Sequence, residues 1–324
     1  MGISKVMSII GHEKIISYFD RVISADNVAQ AYCFVGPDEA GKNAVANYIA
    51  GKLLRTIADR LKTHPDYIVV QREEDEKTGK LKKDITVKQA RDLRERLQRK
   101  SWMNGYKIAV IDEAEKLNEE SGNALLKILE DAGPKTVFFL LTTDDNALLP
   151  TVRSRSQIFY LALTPVDKIA KGLLERGIDP KVANEAANLS WGRPGRALRL
   201  AMDAEAKEEY NNELSRWENI IGQPFHVKLK EVEDLFKDKE DTGRVREALI
   251  EKLGIWMMIW REILLARIGV PRRRLTASNA LGDKITSRPF EIAGIIEKFK
   301  QARVLARQNI NPRLVVENIL ISVI

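Results

Sequence analysis

The stretch AYCFVGPDEAGKNAVANYIA, Ala31 to Ala50, decides how the first half of the chain is read. An apolar run of strand character, Tyr32 to Val35, leads into Gly36-Pro37-Asp38-Glu39-Ala40-Gly41-Lys42-Asn43, and a helical pattern follows. The spacing G-x-x-x-x-G-K is that of a phosphate-binding loop. In such a loop backbone N–H groups and a helix N-terminus surround the phosphates, while the lysine adds a charge. Ser or Thr should follow the lysine, because that hydroxyl holds the Mg²⁺ that bridges the phosphates. Asn43 stands there instead, with an amide oxygen that can coordinate but no hydroxyl. Glu39 is a second alteration, since unit charges about 4 Å apart repel by about 4 kcal/mol at an effective dielectric near 20. A Glu39 turned inward would therefore oppose phosphate. Taken alone, the same residues also read as a glycine turn with a surface lysine.

Outward from this loop the first half alternates strands and helices. Apolar runs at Tyr32–Val35, Tyr67–Val70, Ile108–Ile111, Val137–Leu141 and Ile158–Leu161 read as strands. Between them, Lys42–Leu61, Val87–Lys100 and Glu119–Asp131 have helical length and spacing. That order predicts a largely parallel sheet covered by helices on both faces, with ligands beyond the carboxyl ends of the strands. Past Leu163 the strand signal stops. Thr164-Pro165 marks a boundary, Val166–Met202 reads as a small set of helices, and the remainder is helical. Its breaks fall at Gly222-Gln223-Pro224, Gly269-Val270-Pro271 and Ser287-Arg288-Pro289.

Two further elements support the loop. KIAVIDEAEKL, Lys107 to Leu117, sets Asp112-Glu113 at the end of a buried strand, where one acid can orient Mg²⁺ and the next activate water. Alone, this pair is equally a strand end and helix cap. LLTTDDNALLPTVRSRSQ, Leu140 to Gln157, places Thr142 or Thr143 where a polar side chain can sense a γ-phosphate. The arginines of Arg153-Ser154-Arg155-Ser156 follow. An arginine delivered to a neighbour's ATP stabilises transition-state charge, although an exposed arginine is more often merely solvated.

Composition bounds the rest. The 324 residues are 44% hydrophobic and 31% charged, which predicts a folded, helix-rich chain of two or three domains. The one cysteine, Cys33, rules out an internal disulfide, fits a reducing compartment, and reads as a small buried core residue. Residues 1–10 lack the features of a secretory signal, and LGIWMMIW at Leu253–Trp260 is too short to span a bilayer. A cytoplasmic protein without membrane contact is expected. The net charge of +7 suits a polyanionic partner, yet lysines and arginines are mixed with acids, so the denser groups at Arg91–Lys100 and Arg272-Arg273-Arg274 read first as solvated surface.

Taken together, these segments resemble the AAA+ subunits of the bacterial DNA polymerase III clamp loader, most closely those of the delta-prime kind. The resemblance covers essentially the whole chain: IIGHEKI, QAYCFVGPDEAGK, HPDYIVV, IDEAEKLNEESGNALLKILED, LLPTVRSRS, WGRPGRAL, and NINPRLVVENIL at Asn309–Leu320. It implies an α/β AAA+ (P-loop NTPase-like) parallel-sheet domain over 1–163, a small helical lid domain over 164–205, and an all-helical C-terminal oligomerisation, or collar, domain over 206–324. Ser154-Arg155-Ser156 is similar to the family's Ser-Arg-Cys motif, which makes Arg155 the finger that completes the ATP site of an adjacent gamma/tau subunit. Gly36, Gly41, Lys42, Asn43, Asp112, Glu113, Thr143 and Arg196 then form a degenerate nucleotide site.

Within the family, ATPase members carry a sensing arginine three residues after the glycine that is Gly192 here. Gly195 occupies that place and Arg196 comes next, a shift of about 100° around a helix. The family's four-cysteine zinc module is also missing: only RTIADRLKT lies between Leu54 and His64-Pro65-Asp66. His64, His12 and His226 read as surface or capping histidines.

The resemblance thus implies a non-motor stator that works with gamma/tau and delta subunits in a hetero-oligomer. It would reach the sliding clamp and primed DNA through that complex, without a zinc ion or a required cofactor. A gamma/tau-like subunit that binds and hydrolyses ATP with Mg²⁺ is the alternative, kept open by Lys42 and Asp112-Glu113. A primer-template-binding AAA+ module of another system is a third.

Overall fold

Five apolar runs become five strands because each is short, rich in β-branched and aromatic residues, and closed by turn or cap residues. The computed structural model describes residues 9–75, 81–102, 105–236, 242–269, 285, 287–307 and 310–323. The Arg272-Arg273-Arg274 group, Val270-Pro271 of one expected break, Asn309 and Ile324 lie outside the described residues.

The strands are β1 (Ala31–Val35), β2 (Tyr67–Val70), β3 (Lys107–Ile111), β4 (Thr136–Thr142) and β5 (Gln157–Tyr160), each within a residue or so of its sequence expectation. They form one sheet in the order β2-β3-β4-β1-β5, and every neighbouring pair is parallel. The central strands β1 and β4 are buried throughout, as strands covered on both faces must be. Their alternation separates two cores. Ala31, Cys33, Val35, Phe138 and Leu140 face one, under α4 (Val87–Gln98) and α5 (Glu119–Asp131). Tyr32, Phe34, Phe139 and Leu141 face the other, under α1 (Glu13–Ser24) and α2 (Lys42–Leu53). The register pairs Val35 with Thr142 on one side and with Tyr160 on the other, so three strand ends open at the same edge as the glycine loop.

One expected element is corrected. The helix read over Lys42–Leu61 stops at Leu53, and a separate turn, α3, covers Ala58–Leu61. Arg55 takes the left-handed conformation, φ 54°, while the Thr56 N–H bonds the Gly51 carbonyl at 2.9 Å and the Arg55 N–H bonds that of Lys52 at 3.3 Å. This is the reverse turn that normally ends a helix at glycine. With arginine in its place, the stop carries no glycine signal.

A short α6 (Pro150–Ser154) precedes β5, and α7 (Val166–Leu174), α8 (Pro180–Leu189) and α9 (Pro194–Met202) follow it. The chain divides into two compact units, Met1–Ala201 and Met202–Ile324, so the helices after β5 fall with the sheet. The second unit is helical, with helices at Ala204–Ile220, Phe225–Val232, Thr242–Arg267, Pro289–Arg307 and Pro312–Ser322. The apolar run LGIWMMIW supplies its core: Trp256 and Trp260 meet Trp217 nearly edge-on, with centroids 5.3 and 5.4 Å away. Among the described residues, no helix is long and apolar enough to cross a membrane.

Candidate functional site

The loop between β1 and α2 satisfies itself with its own side chains and neighbours. Gly41 caps α2 with φ 104°, a conformation that needs glycine. Lys42, the first residue of α2, folds back so that Nζ donates to the Gly36 carbonyl at 2.6 Å and to the Pro37 carbonyl at 3.1 Å. Burial holds its pKa below the ordinary lysine value, opposed by the nearby carboxylates of Asp38, Glu115 and Asp112. Three residues past Pro37, the Ala40 carbonyl is met by His12 Nε2 at 2.8 Å. His12 stands at the N-cap of α1, in keeping with its capping reading, but its side chain makes no cap bond and turns to the loop instead. His64 keeps that reading, its Nδ1 accepting from the Asp66 N–H at 3.1 Å.

Asn43 and Asp112 are brought together from 69 residues apart, because α2 begins where β3 ends, at the same edge. Asn43 Nδ2 donates to Asp112 Oδ2 at 2.7 Å, and the Glu113 N–H donates to Asp112 Oδ1 at 3.0 Å. Burial raises the Asp112 pKa, against the stabilising effect of these two donors. Glu113 sits at φ 51° and is gripped in fork geometry by Arg72, Nε to Oε2 at 2.7 Å and Nη2 to Oε1 at 2.8 Å. Thr143 Oγ1 donates to Glu115 Oε1 at 2.9 Å. The buried Thr142 donates instead to the Asp144 carbonyl.

Gly195, where the arginine of an ATPase would stand, meets the loop through its backbone. Its N–H donates to the Glu39 carbonyl at 2.9 Å. The Glu39 carboxylate, with φ 62° at its own residue, turns outward to α9 and pairs with Arg199 Nε at 3.0 Å. Glu39 thus does not oppose phosphate in the way an inward charge would. Arg196 is buried, 6% exposed. Beside this contact lies a cavity of about 750 Å³, walled by residues that include Ile9, Tyr48, Pro194 and Leu198.

These residues do not fit magnesium triphosphate. Both groups that would face the ion, Asn43 and Asp112, are hydrogen-bonded to each other through an amide N–H, a donor that no cation can use. The acid that would activate water is held by Arg72. Lys42 would have to leave two carbonyls.

The finger candidate lies at the end of α6. Arg153, near the end of α6, is anchored: Nη2 pairs with Asp145 at 2.8 Å and Nη1 donates to Asn146 at 3.1 Å. Arg155 closes the same helix and pairs with Glu130 at 2.9 Å, both side chains nearly half exposed. The residues that sequence reasoning missed are Arg72, His12 and Arg199. A single exposed-looking Arg or His does not announce a distant partner, and each partner lies at least 28 positions away.

Comparison with known proteins gives the same direction as the motifs. The family model for DNA polymerase III, delta subunit, matches residues 11–165, just under half of the 324. DNA polymerase III subunit delta' of Pseudomonas aeruginosa is 36% identical over 190 residues, 53% of this chain and 56% of that protein. The Escherichia coli subunit of the same name is 36% identical over 142 residues, 43% of this chain and 40% of that protein. The gamma/tau subunit of Mycobacterium bovis is 26% identical over 182 residues, 52% of this chain and 30% of that protein. The chain spans about half the length of the curated relatives it matches. The likeness is to DNA polymerase III subunits, and the identity is greater to delta' than to gamma/tau.

Proposed function

We propose that this chain is the delta-prime-type stator of a bacterial DNA polymerase III clamp loader. It would sit in a hetero-oligomer with gamma/tau and delta subunits, help place the sliding clamp on primed DNA, and leave ATP chemistry to its neighbours. The observation that carries this reading is the fork between Arg72 and Glu113, beside the direct bond from Asn43 to Asp112. A motor needs one acid free for water and the other free for the ion. Both are engaged here by protein groups.

Arg155 supplies the second half of the proposal. It stands at the exposed end of α6 with a weak surface partner, Glu130, which a neighbour's phosphate could displace at little cost. As a trans finger it would stabilise the charge of the transferring phosphoryl group on an adjacent gamma/tau subunit.

The test is DNA- and clamp-stimulated ATP hydrolysis by the reconstituted loader, with Arg155→Ala or Lys42→Ala in this subunit. A stator with a trans finger loses turnover with Arg155→Ala, by about 10³-fold or more at the one site it completes, and keeps it with Lys42→Ala. Loss with Lys42→Ala alone would identify a gamma/tau-like motor and overturn the proposal.

A further inference from the structure

Glu39 and Gly195 are two of the positions where loop and lid depart from a nucleotide-binding pattern, and they touch each other. The Gly195 N–H donates to the Glu39 carbonyl at 2.9 Å. A Cβ on residue 195 would lie 2.8 Å from that same carbonyl oxygen and 3.2 Å from Glu39 Cα. Both are backbone atoms, which cannot swing aside as the end of a flexible side chain can. The arginine that a motor needs at 195 is thus incompatible with this approach. Glycine is required by the contact itself.

The side chain of Glu39 adds a second tie. Its left-handed backbone, φ 62°, is one that glycine adopts freely and a glutamate rarely does. In this conformation the carbonyl reaches the first turn of α9 while the carboxylate reaches Arg199, four residues farther along the same helix, at 3.0 Å. His12 Nε2 meets the adjacent Ala40 carbonyl at 2.8 Å. Two alterations that look like separate decay of a nucleotide site are the two halves of one contact.

We infer that Glu39, Gly195 and Arg199 form a latch that fixes α9 on the glycine loop through protein atoms alone, taking the bridging role that a nucleotide has between loop and lid in a motor subunit. The purpose assigned to the latch rests on the stator reading, since a subunit that presents a finger to its neighbour benefits from a lid whose position does not follow ATP.

Hydrogen–deuterium exchange on the intact chain tests it. Gly195→Ala should speed exchange in 37–41 and in 194–202 roughly five- to tenfold, the effect of losing a backbone hydrogen bond and its close approach, while β3 and β4 keep their protection. Arg199→Ala removes only the outer tie and should raise exchange in the same two segments about two- to threefold. It also decides the matter if Gly195→Ala does not fold. Unchanged exchange in both segments with Arg199→Ala, or a rise spread evenly over the sheet with either variant, overturns the latch. Mg-ATP turnover by the wild-type chain is a separate readout: turnover would sink the stator reading while leaving the exchange result to judge the contact.

Discussion

Arg153 and Asp145 form an ion pair at 2.8 Å in which the acid is 4% exposed, and the Tyr160 hydroxyl donates to the same carboxylate oxygen at 3.2 Å. Arg155, two residues on, has only surface company. The Arg-Ser-Arg run therefore divides its labour: the first arginine fastens the end of α6 to the strand-end loop, and the second is presented. Position along a one-turn helix separates them, since side chains two residues apart point roughly 200° from each other.

Arg153→Ala should cost about 2–3 kcal/mol of unfolding free energy, because it strands a buried carboxylate. Arg155→Ala should cost no more than about 0.5 kcal/mol, as an exposed pair does. Urea unfolding of the two variants compares them directly. Equal losses would show that Asp145 does not anchor the helix.

Glu213 is the corresponding hub of the second unit. It is 1% exposed and accepts from Lys252 Nζ at 3.0 Å, Arg216 Nε at 3.0 Å and Trp256 Nε1 at 2.6 Å. Glu213→Ala strands the Trp256 indole N–H and takes one of two carboxylates from each cation, Arg216 keeping Asp234 and Lys252 keeping Glu209, and should destabilise by about 2–3 kcal/mol. Glu213→Gln keeps the shape and the indole acceptor, so it should lose less. Thermal unfolding of the pair checks the order, and a harmless Glu213→Ala would refute the hub.

Asp112 gives a pH signature of known sign. Burial raises its folded pKa above the ordinary value of 3.8, so the native state holds the proton more tightly than the unfolded chain. Its contribution to stability is greatest below the unfolded value. It falls as pH rises through the window up to the raised folded value, and the penalty is complete above that. Asp112→Asn removes this slope, and the amide can still bond Asn43. The variant should gain stability relative to wild type as pH rises from 4 to 7, measured by urea midpoints. A constant difference across that range would contradict the burial argument.

Strand positions were legible because a parallel strand buried on both faces must be nearly continuous in apolar residues, as in Thr136–Thr142. The start of α2 was legible because Gly41-Lys42 has a fixed place in a phosphate loop. What could not be read was direction. Glu39 could face the phosphates or the lid, and only its backbone conformation and Arg199, 160 positions later, decide between them. The partner of Glu113 was equally hidden, since Arg72 lies within a run of alternating charges that reads as solvated surface. The end of α2 was missed for a local reason, an arginine in a turn that usually takes glycine.

Asn43→Thr restores the missing hydroxyl and tests how deep the departure from a motor goes. If the magnesium ligand were the sole defect, this change would give Mg-ATP turnover above the wild-type background. The geometry expects none, because three other engagements persist. Arg72 still forks onto Glu113, Gly195 still stands in place of a sensing arginine, and Lys42 still donates to the carbonyls of Gly36 and Pro37. Adding Arg72→Ala frees the acid but leaves the lid on Glu39, so the double variant should also remain at background. Phosphate release by the purified variants, alone and with DNA, is the measurement. Turnover from Asn43→Thr alone would mean that the Arg72 fork opens readily and that this chain stands one substitution from a motor.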